Sequence, residues 1–180
     1  MTIQEMHYQF VLRANKVDSL FNKEFNPQER DIFLNEAIIA FVNRTYNGTN
    51  AKGLSFEETQ EMVDEIKTLI VHSPIDQPWV APQFSNGNMY YVDLDSLKYD
   101  YLHLIRVGAD IDGCTEIINV NMVQYDDLTY TLTNSLTKPN AQWKRVVGVL
   151  ANDKLILYTD STFKIEAVAP SYIKYPTKVS

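Results

Sequence analysis

Three acidic pairs lie close together in the chain: Asp93 and Asp95, Asp110 and Asp112, Asp126 and Asp127. Paired carboxylates are the raw material of acid/base and metal chemistry. The middle pair belongs to Asp110-Ile111-Asp112-Gly113, whose alternating oxygens and glycine match the start of a loop that wraps a calcium ion. Such a loop needs a further oxygen ligand at the next alternate position and a distal glutamate. Cys114 and Thr115 follow instead, so the segment reads as a polar turn between strands. The histidines, His7, His72 and His103, are three in number and have no recognisable spacing to one another or to Cys114. With one cysteine the chain has no internal disulfide and no cysteine-cluster metal site, and Cys114 reads as a plain buried thiol. There is no glycine-rich phosphate loop, no Gly-x-Ser-x-Gly elbow and no His-Glu-x-x-His pair. The expectation is therefore no catalytic residue, no cofactor and no metal. An enzyme survives only as two distant carboxylates brought together by folding, as in glycosidases.

Eleven tyrosines, among them Tyr90-Tyr91 and Tyr99-x-Tyr101, offer a different chemistry. They suit a platform for stacking sugars or bases, and equally a sheet surface that becomes a protein interface; the interface reading is preferred. Charge is unevenly placed within the net of −7: residues 1–137 carry nine Lys/Arg against twenty Asp/Glu, and residues 138–180 seven against three. An acidic body disfavours non-specific nucleic-acid binding. The basic tail either meets complementary patches on other copies or protects a sheet edge from aggregation. At 180 residues the chain is about one domain long. Its longest wholly apolar run, Ala37–Val42, is too short to span a bilayer. Met1 leads directly into polar, helix-starting residues, which predicts no secretory signal and synthesis in a cytoplasm.

The elements that would position these residues follow from periodicity and caps. Thr2-Ile3-Gln4-Glu5 has the form of a capping box, with Ile3, Met6, Phe10, Val17 and Leu20 at helical spacing behind it. Asn26-Pro27 opens a second helix whose apolar stripe is Ile32, Phe33, Ala37, Phe41 and Val42, stopped at Asn47-Gly48. A third helix, from Ser55 with Glu58 as its box partner, carries Met62, Ile66, Leu69 and Ile70 inward. Its acidic front of Glu57, Glu58, Glu61, Asp64 and Glu65 reads as solvated. Pro74, Pro78 and Pro82 then enforce an extended crossing. Strands are predicted at 89–94, 99–107, 115–123, 144–150, 154–158, 163–168 and 171–175. A short helix is predicted at 125–132, and a tight hairpin turn at Asn152-Asp153. The fold class is α+β: an N-terminal bundle of about three helices over residues 1–72, then a mainly antiparallel sheet over 73–180 with an extended closing segment, in one compact domain.

The opening "MTIQEMHYQFVLRANKVDS", the helix "DIFLNEAIIAFVNRTY", the loop "TNSLTKPNAQW" and the closing "SYIKYPTKV" resemble virion proteins of crAss-like tailed bacteriophages, in particular ring or adaptor proteins of the head-to-tail connector. The resemblance implies a structural protein without catalysis or cofactor. It further implies a cyclic homo-oligomer, twelvefold like the portal below which it sits, that lengthens the DNA channel and docks the tail. DNA would pass through without specific binding, and the location would be the portal vertex of the virion. Under this reading Tyr172, Ile173, Lys174, Tyr175, Pro176 and Lys178 are the candidate subunit-interface residues, as an extended arm adding to a neighbour's sheet. The plain alternative makes 163–175 an edge strand of its own subunit, with only 176–180 loose. A monomeric tyrosine-rich ligand-binding module, or another neck or tail protein, remains as the alternative function.

Overall fold

A computed structural model describes residues 2–14, 25–47, 60–72, 79–80 and 88–179. The fold is α+β, with helices first and two sheets after them. Contacts divide the chain into two compact units, residues 1–68 with 176–180, and residues 69–175. A single domain divided at 72/73 was expected. The division falls earlier because Ile70–His72 is a strand, and the chain returns to the first unit at Pro176.

In the first unit, α1 (Ile3–Ala14) opens with the capping box read from sequence. The Thr2 N–H donates to Glu5 Oε2 at 2.8 Å and the Glu5 N–H to Thr2 Oγ1 at 3.3 Å, satisfying two end donors reciprocally. Helix α2 (Pro27–Tyr46) starts as predicted, with Glu29 Oε2 accepting from the Asn26 N–H at 2.9 Å. Its inward face is not the predicted apolar stripe. Val42 and Thr45 are buried, but Ile32, Phe33, Ala37 and Phe41 are exposed; the half-buried positions are Arg30, Asp31, Leu34, Asn35, Ile38, Ile39, Asn43 and Tyr46. Specific polar pairings explain the rotation. Asp31 takes a 2.7 Å contact from His7 of α1, and Asn35 binds residue 179, so polar side chains share the inside with Leu34, Ile38 and Val42. Phe10, Phe25 and Phe33 form a ring cluster, with centroids 5.6–6.1 Å apart, at the margin of this pairing. Helix α3 (Gln60–Ile66) buries Ile66 and ends before Leu69 and Ile70, which were expected within it. The Ser55/Glu58 box, Glu57 and the Val17–Leu20 stripe lie outside the described residues. Asp64 and Glu65 are exposed, as a solvated front requires.

In the second unit, β1 (Ile70–His72) belongs to the sheet β1-β9-β4-β5, and β2 (Trp79–Val80) to the sheet β2-β3-β8-β7-β6. The remaining strands are β3 (Asn88–Asp93), β4 (Tyr101–Ile111), β5 (Ile118–Asn119), β6 (Asn121–Met122), β7 (Val147–Ala151), β8 (Lys154–Thr159) and β9 (Ile165–Lys174), with a short helix α4 (Leu128–Thr133) after β6. All pairings are antiparallel except β6 with β7. The predicted strand at 115–123 is two strands in different sheets. Ile118 pairs with Ala109 in one, Asn121 with Val147 in the other, and the Val120 N–H reaches Val107 O between them. One short segment thus changes sheets, and a single core fills the space between the layers: Val107, Ile165, Val168 and Tyr172 from one, Tyr90, Leu155 and Leu157 from the other. The alternation of β8 sends Ile156 and Tyr158 to the opposite face, where Leu128 and Leu132 of α4 cover them with Val147 and Val149. The strands expected separately at 163–168 and 171–175 are one largely continuous strand, β9, from Ile165 to Lys174. Among the described residues β1 pairs with β9 only at Ser171–Ile173, so the missing N–H of Pro170 interrupts none of these pairings.

Gly148 marks a tight point of this core. A Cβ there would lie 2.7 Å from Val120 Cγ1, 2.8 Å from Met122 Sδ and 3.2 Å from Leu157 Cδ2. Val120 and Leu157 are buried and have nowhere to swing. Gly148→Ala is expected to destabilise the second unit by about 1–3 kcal/mol through overpacking, read as a lower urea midpoint at unchanged slope. An unchanged midpoint would mean that the sheet-switching segment moves aside freely.

Candidate functional site

The acidic pairs resolve into turn and cap chemistry. Asp93 caps a single 3₁₀ turn, its Oδ1 accepting from the Asp95 N–H at 3.3 Å and its carbonyl from Ser96 Oγ at 2.6 Å. Asp126 Oδ1 accepts from the Asp127 N–H at 3.1 Å. At Asp110–Cys114 the chain turns with Gly113 at φ 76° and the Cys114 N–H on Ile111 O, the polar turn predicted. Among the described residues no three His, Cys, Asp or Glu side chains gather as metal ligands.

The histidines stand on separate elements, and two serve packing. His7 joins α1 to Asp31 of α2, and His72 Nδ1 contacts Ser171 Oγ at 2.7 Å across the β1–β9 register. The second pair has the atom types of a nucleophile and its base. In serine hydrolases, however, Nε2 faces the serine while Nδ1 is held by a carboxylate; here Nδ1 faces a serine that is itself buried in a strand. Partial burial pushes the His103 imidazole below its ordinary value. Cys114 is a free thiol, half-buried rather than fully so. It lies beside Lys144, whose ammonium is pushed above its usual range first by its hydrogen bond to Glu116, 3.2 Å away, and then by the thiol.

The six closing residues singled out from sequence separate by depth. Tyr172 and Ile173 are fully buried, in register with Val71 and Ile70 of β1 on one side and with Leu104 and His103 of β4 on the other. They sit in an inner strand of their own sheet, so neither the free arm nor the edge strand describes them, and they offer no surface to a neighbour. The reason is that β1, whose residues continue the apolar spacing of the preceding helix, covers the flank that an edge strand would leave open. Lys174 Nζ stands 4.8 Å above the Tyr99 ring, and the Tyr175 N–H donates to Asp100 O at 3.0 Å. Tyr175 and Lys178 remain exposed and Pro176 half-exposed.

Beyond Tyr175 the chain is not loose, as the plain alternative had it. Val179 is buried in the first unit, and its main chain is gripped by one side chain. Asn35 Oδ1 accepts from the Val179 N–H at 2.8 Å, and Asn35 Nδ2 donates to the Val179 carbonyl at 3.1 Å. Sequence reading missed Asn35 altogether. The available signal was an asparagine in mid-helix, a poor helix former with a polar side chain that must find a partner.

Large apolar side chains stand in solvent on both units. Around the sequence loop, Tyr130, Leu136 and Trp143 are 67%, 79% and 73% exposed. Trp143 lies on a hydrogen-bonded turn. Asn140 and Arg145 exchange main-chain bonds of 3.1 and 2.9 Å, the Trp143 N–H donates to Asn140 Oδ1, and Lys144 adopts φ 48°. The Ala141 N–H is tied to Asp160 Oδ2. The charge division seen in sequence does not become a division between units: each carries eight basic groups, against eleven carboxylates in the first and twelve in the second. No helix among the described residues is long and apolar enough to cross a membrane.

No protein-family model matches the chain, and no curated protein matches it.

Proposed function

We propose that this chain is a structural virion protein, a ring of the head-to-tail connector of a tailed phage, assembling with copies of itself beneath the portal and offering a docking surface to the tail. The observation that carries the assembly part is Trp143, an aromatic held far out in water by a closed, hydrogen-bonded turn. Tryptophan is among the side chains on which protein interfaces concentrate their binding energy, and a main chain already held by hydrogen bonds leaves less to be ordered on contact. The connector part rests on the four resembling segments, one of which contains this loop and another of which is the closing strand and arm. A cyclic ring joins one surface of a subunit to a different surface of the next. The net negative charge of both units suits a channel along which DNA slides without adhering.

A tyrosine-rich binding module has less support. Tyr90 and Tyr172 are spent in the inter-sheet core, Tyr158 faces α4, and Tyr125 and Tyr130 are exposed. The open depression at the β7–β8 hairpin, about 230 Å³, has Tyr101 as its one tyrosine and is smaller than ligand sites usually are.

The test is localisation on purified particles, by antibody labelling in the electron microscope with copy number measured by mass spectrometry against the portal. Label at the portal vertex, with about as many copies as portal subunits, is the expected result. Absence from particles would overturn the reading.

A further inference from the structure

The grip of Asn35 on Val179 is an unusual way for a helix to hold an extended chain. A helix interior has already used its main-chain donors and acceptors, so it cannot add a strand as a sheet edge does. An asparagine amide, with donor and acceptor side by side, reproduces a strand edge for one residue. Asn35 does this, bonding both the N–H and the carbonyl of Val179 while the Val179 side chain is buried. The segment that delivers Val179 is extended, with Thr177 and Lys178 exposed, and is joined to β9 through Pro176. Lys178 brings a positive charge to a unit with eleven carboxylates.

We infer that the Asn35 site is a receptor for an extended arm, and that in the assembled state its occupant is residues 176–179 of a second copy of this chain. The inference deepens the assembly reading and rests on it for the identity of the neighbour. Exchange costs little, because the contact made with a neighbour is the contact already made within the chain. It also has the right symmetry. The arm and its receptor are different parts of the chain, so a copy that gives its arm to one neighbour can receive one from another, the head-to-tail pattern that a ring needs.

Two variants of the full chain separate donor from receptor. Asn35→Ala keeps the arm and loses the receptor; a chain ending at Tyr175 keeps the receptor and loses the arm. Neither can form the contact alone. Mixed with different mass tags and followed by native mass spectrometry and sedimentation, they are expected to pair one to one about 30-fold more tightly than either self-associates, the worth of two ordinary hydrogen bonds. The assembly should stop at two copies, since the partner's free ends are the disabled ones. Should the shortened chain fail to fold, Val179→Pro takes its place, removing the N–H that Asn35 accepts. No pairing above self-association, with both chains folded by circular dichroism, would overturn arm exchange. Pairing is read on purified protein, whereas the connector reading stands or falls on particles, so the two failures are distinguishable.

Discussion

A chain ending at Pro170 is expected not to fold its second unit, whereas one ending at Tyr175 is expected to fold it. The difference is five residues, Ser171 to Tyr175. Ser171–Ile173 are flanked on both sides, by β1 and by β4, so their removal leaves two strands facing an empty slot and strips the edges of both of hydrogen-bond partners. It also deletes Tyr172 and Ile173, both fully buried. Burying such side chains stabilises by about 1.5–3 kcal/mol each, before the lost pairing is counted, against a total stability of about 5–15 kcal/mol for a domain. The readout is the near-ultraviolet circular dichroism of the two chains and their urea transitions. Loss of the cooperative transition in the shorter chain alone is the expected outcome. If the chain ending at Pro170 unfolds cooperatively near the full-length midpoint, the closing strand is an addition to a sheet that stands without it, and the arm begins at Ser171 rather than at Pro176.

That experiment turns on a boundary that local pattern alone does not give. Where a feature is specified by adjacent residues, it was legible. Thr2 with Glu5 and Asn26-Pro27 with Glu29 mark helix starts, because cap partners lie within one turn of each other. Asn152-Asp153 marks the β7–β8 hairpin, since both residues tolerate the positive φ values of 49° and 57° that the turn demands. The alternation of Leu155 and Leu157 against Ile156 and Tyr158 marks a strand packed on both faces. Where pairing decides, the sequence is silent. Ile70-Val71-His72 continues the apolar spacing of the helix before it and becomes a strand only because β9 is there to receive it. Residues 115–123 look like one strand, yet change sheets at Val120 because each sheet offers them an edge.

The candidate site divides in the same way. Lys138-Pro139 and the turn residues around it mark the loop that carries the exposed Leu136 and leads to Trp143. The Asn35–Val179 contact spans 144 residues of sequence and joins an unremarkable asparagine to an unremarkable valine. Helix α2 shows why the inward side escaped detection. Counting apolar residues points to Phe33, Ala37 and Phe41, but Asp31 and Asn35 lie on the inward face because each has a specific partner there. A satisfied polar group can occupy an inner face, and hydrophobic periodicity cannot anticipate which polar groups will be satisfied.

Tyr172→Ala is expected to cost about 3–5 kcal/mol, and Tyr172→Phe close to nothing or to stabilise slightly. Tyr172 is the largest of the fully buried side chains, and it lies between Val71 and Leu104 on the neighbouring strands, in the core shared by both sheets. Truncation to alanine removes the ring's contacts with both layers and leaves a hole lined by side chains from two sheets, which cannot close it without losing register. The phenolic oxygen is a separate matter. It is buried and has no hydrogen-bond partner among the described residues, so it contributes desolvation without return, and phenylalanine keeps the shape while removing that cost. Urea midpoints at constant slope measure both variants, with Phe at or above the parent and Ala far below. Equal losses in the two would show that the hydroxyl, not the ring, holds the sheets together, and would move the search for its partner to the residues around β1. The expected split, set beside the truncation pair, would locate the stability of the second unit in an inner strand that sequence alone presents as a tail, and would leave the Pro176–Val179 arm as the part of the chain free to change partners.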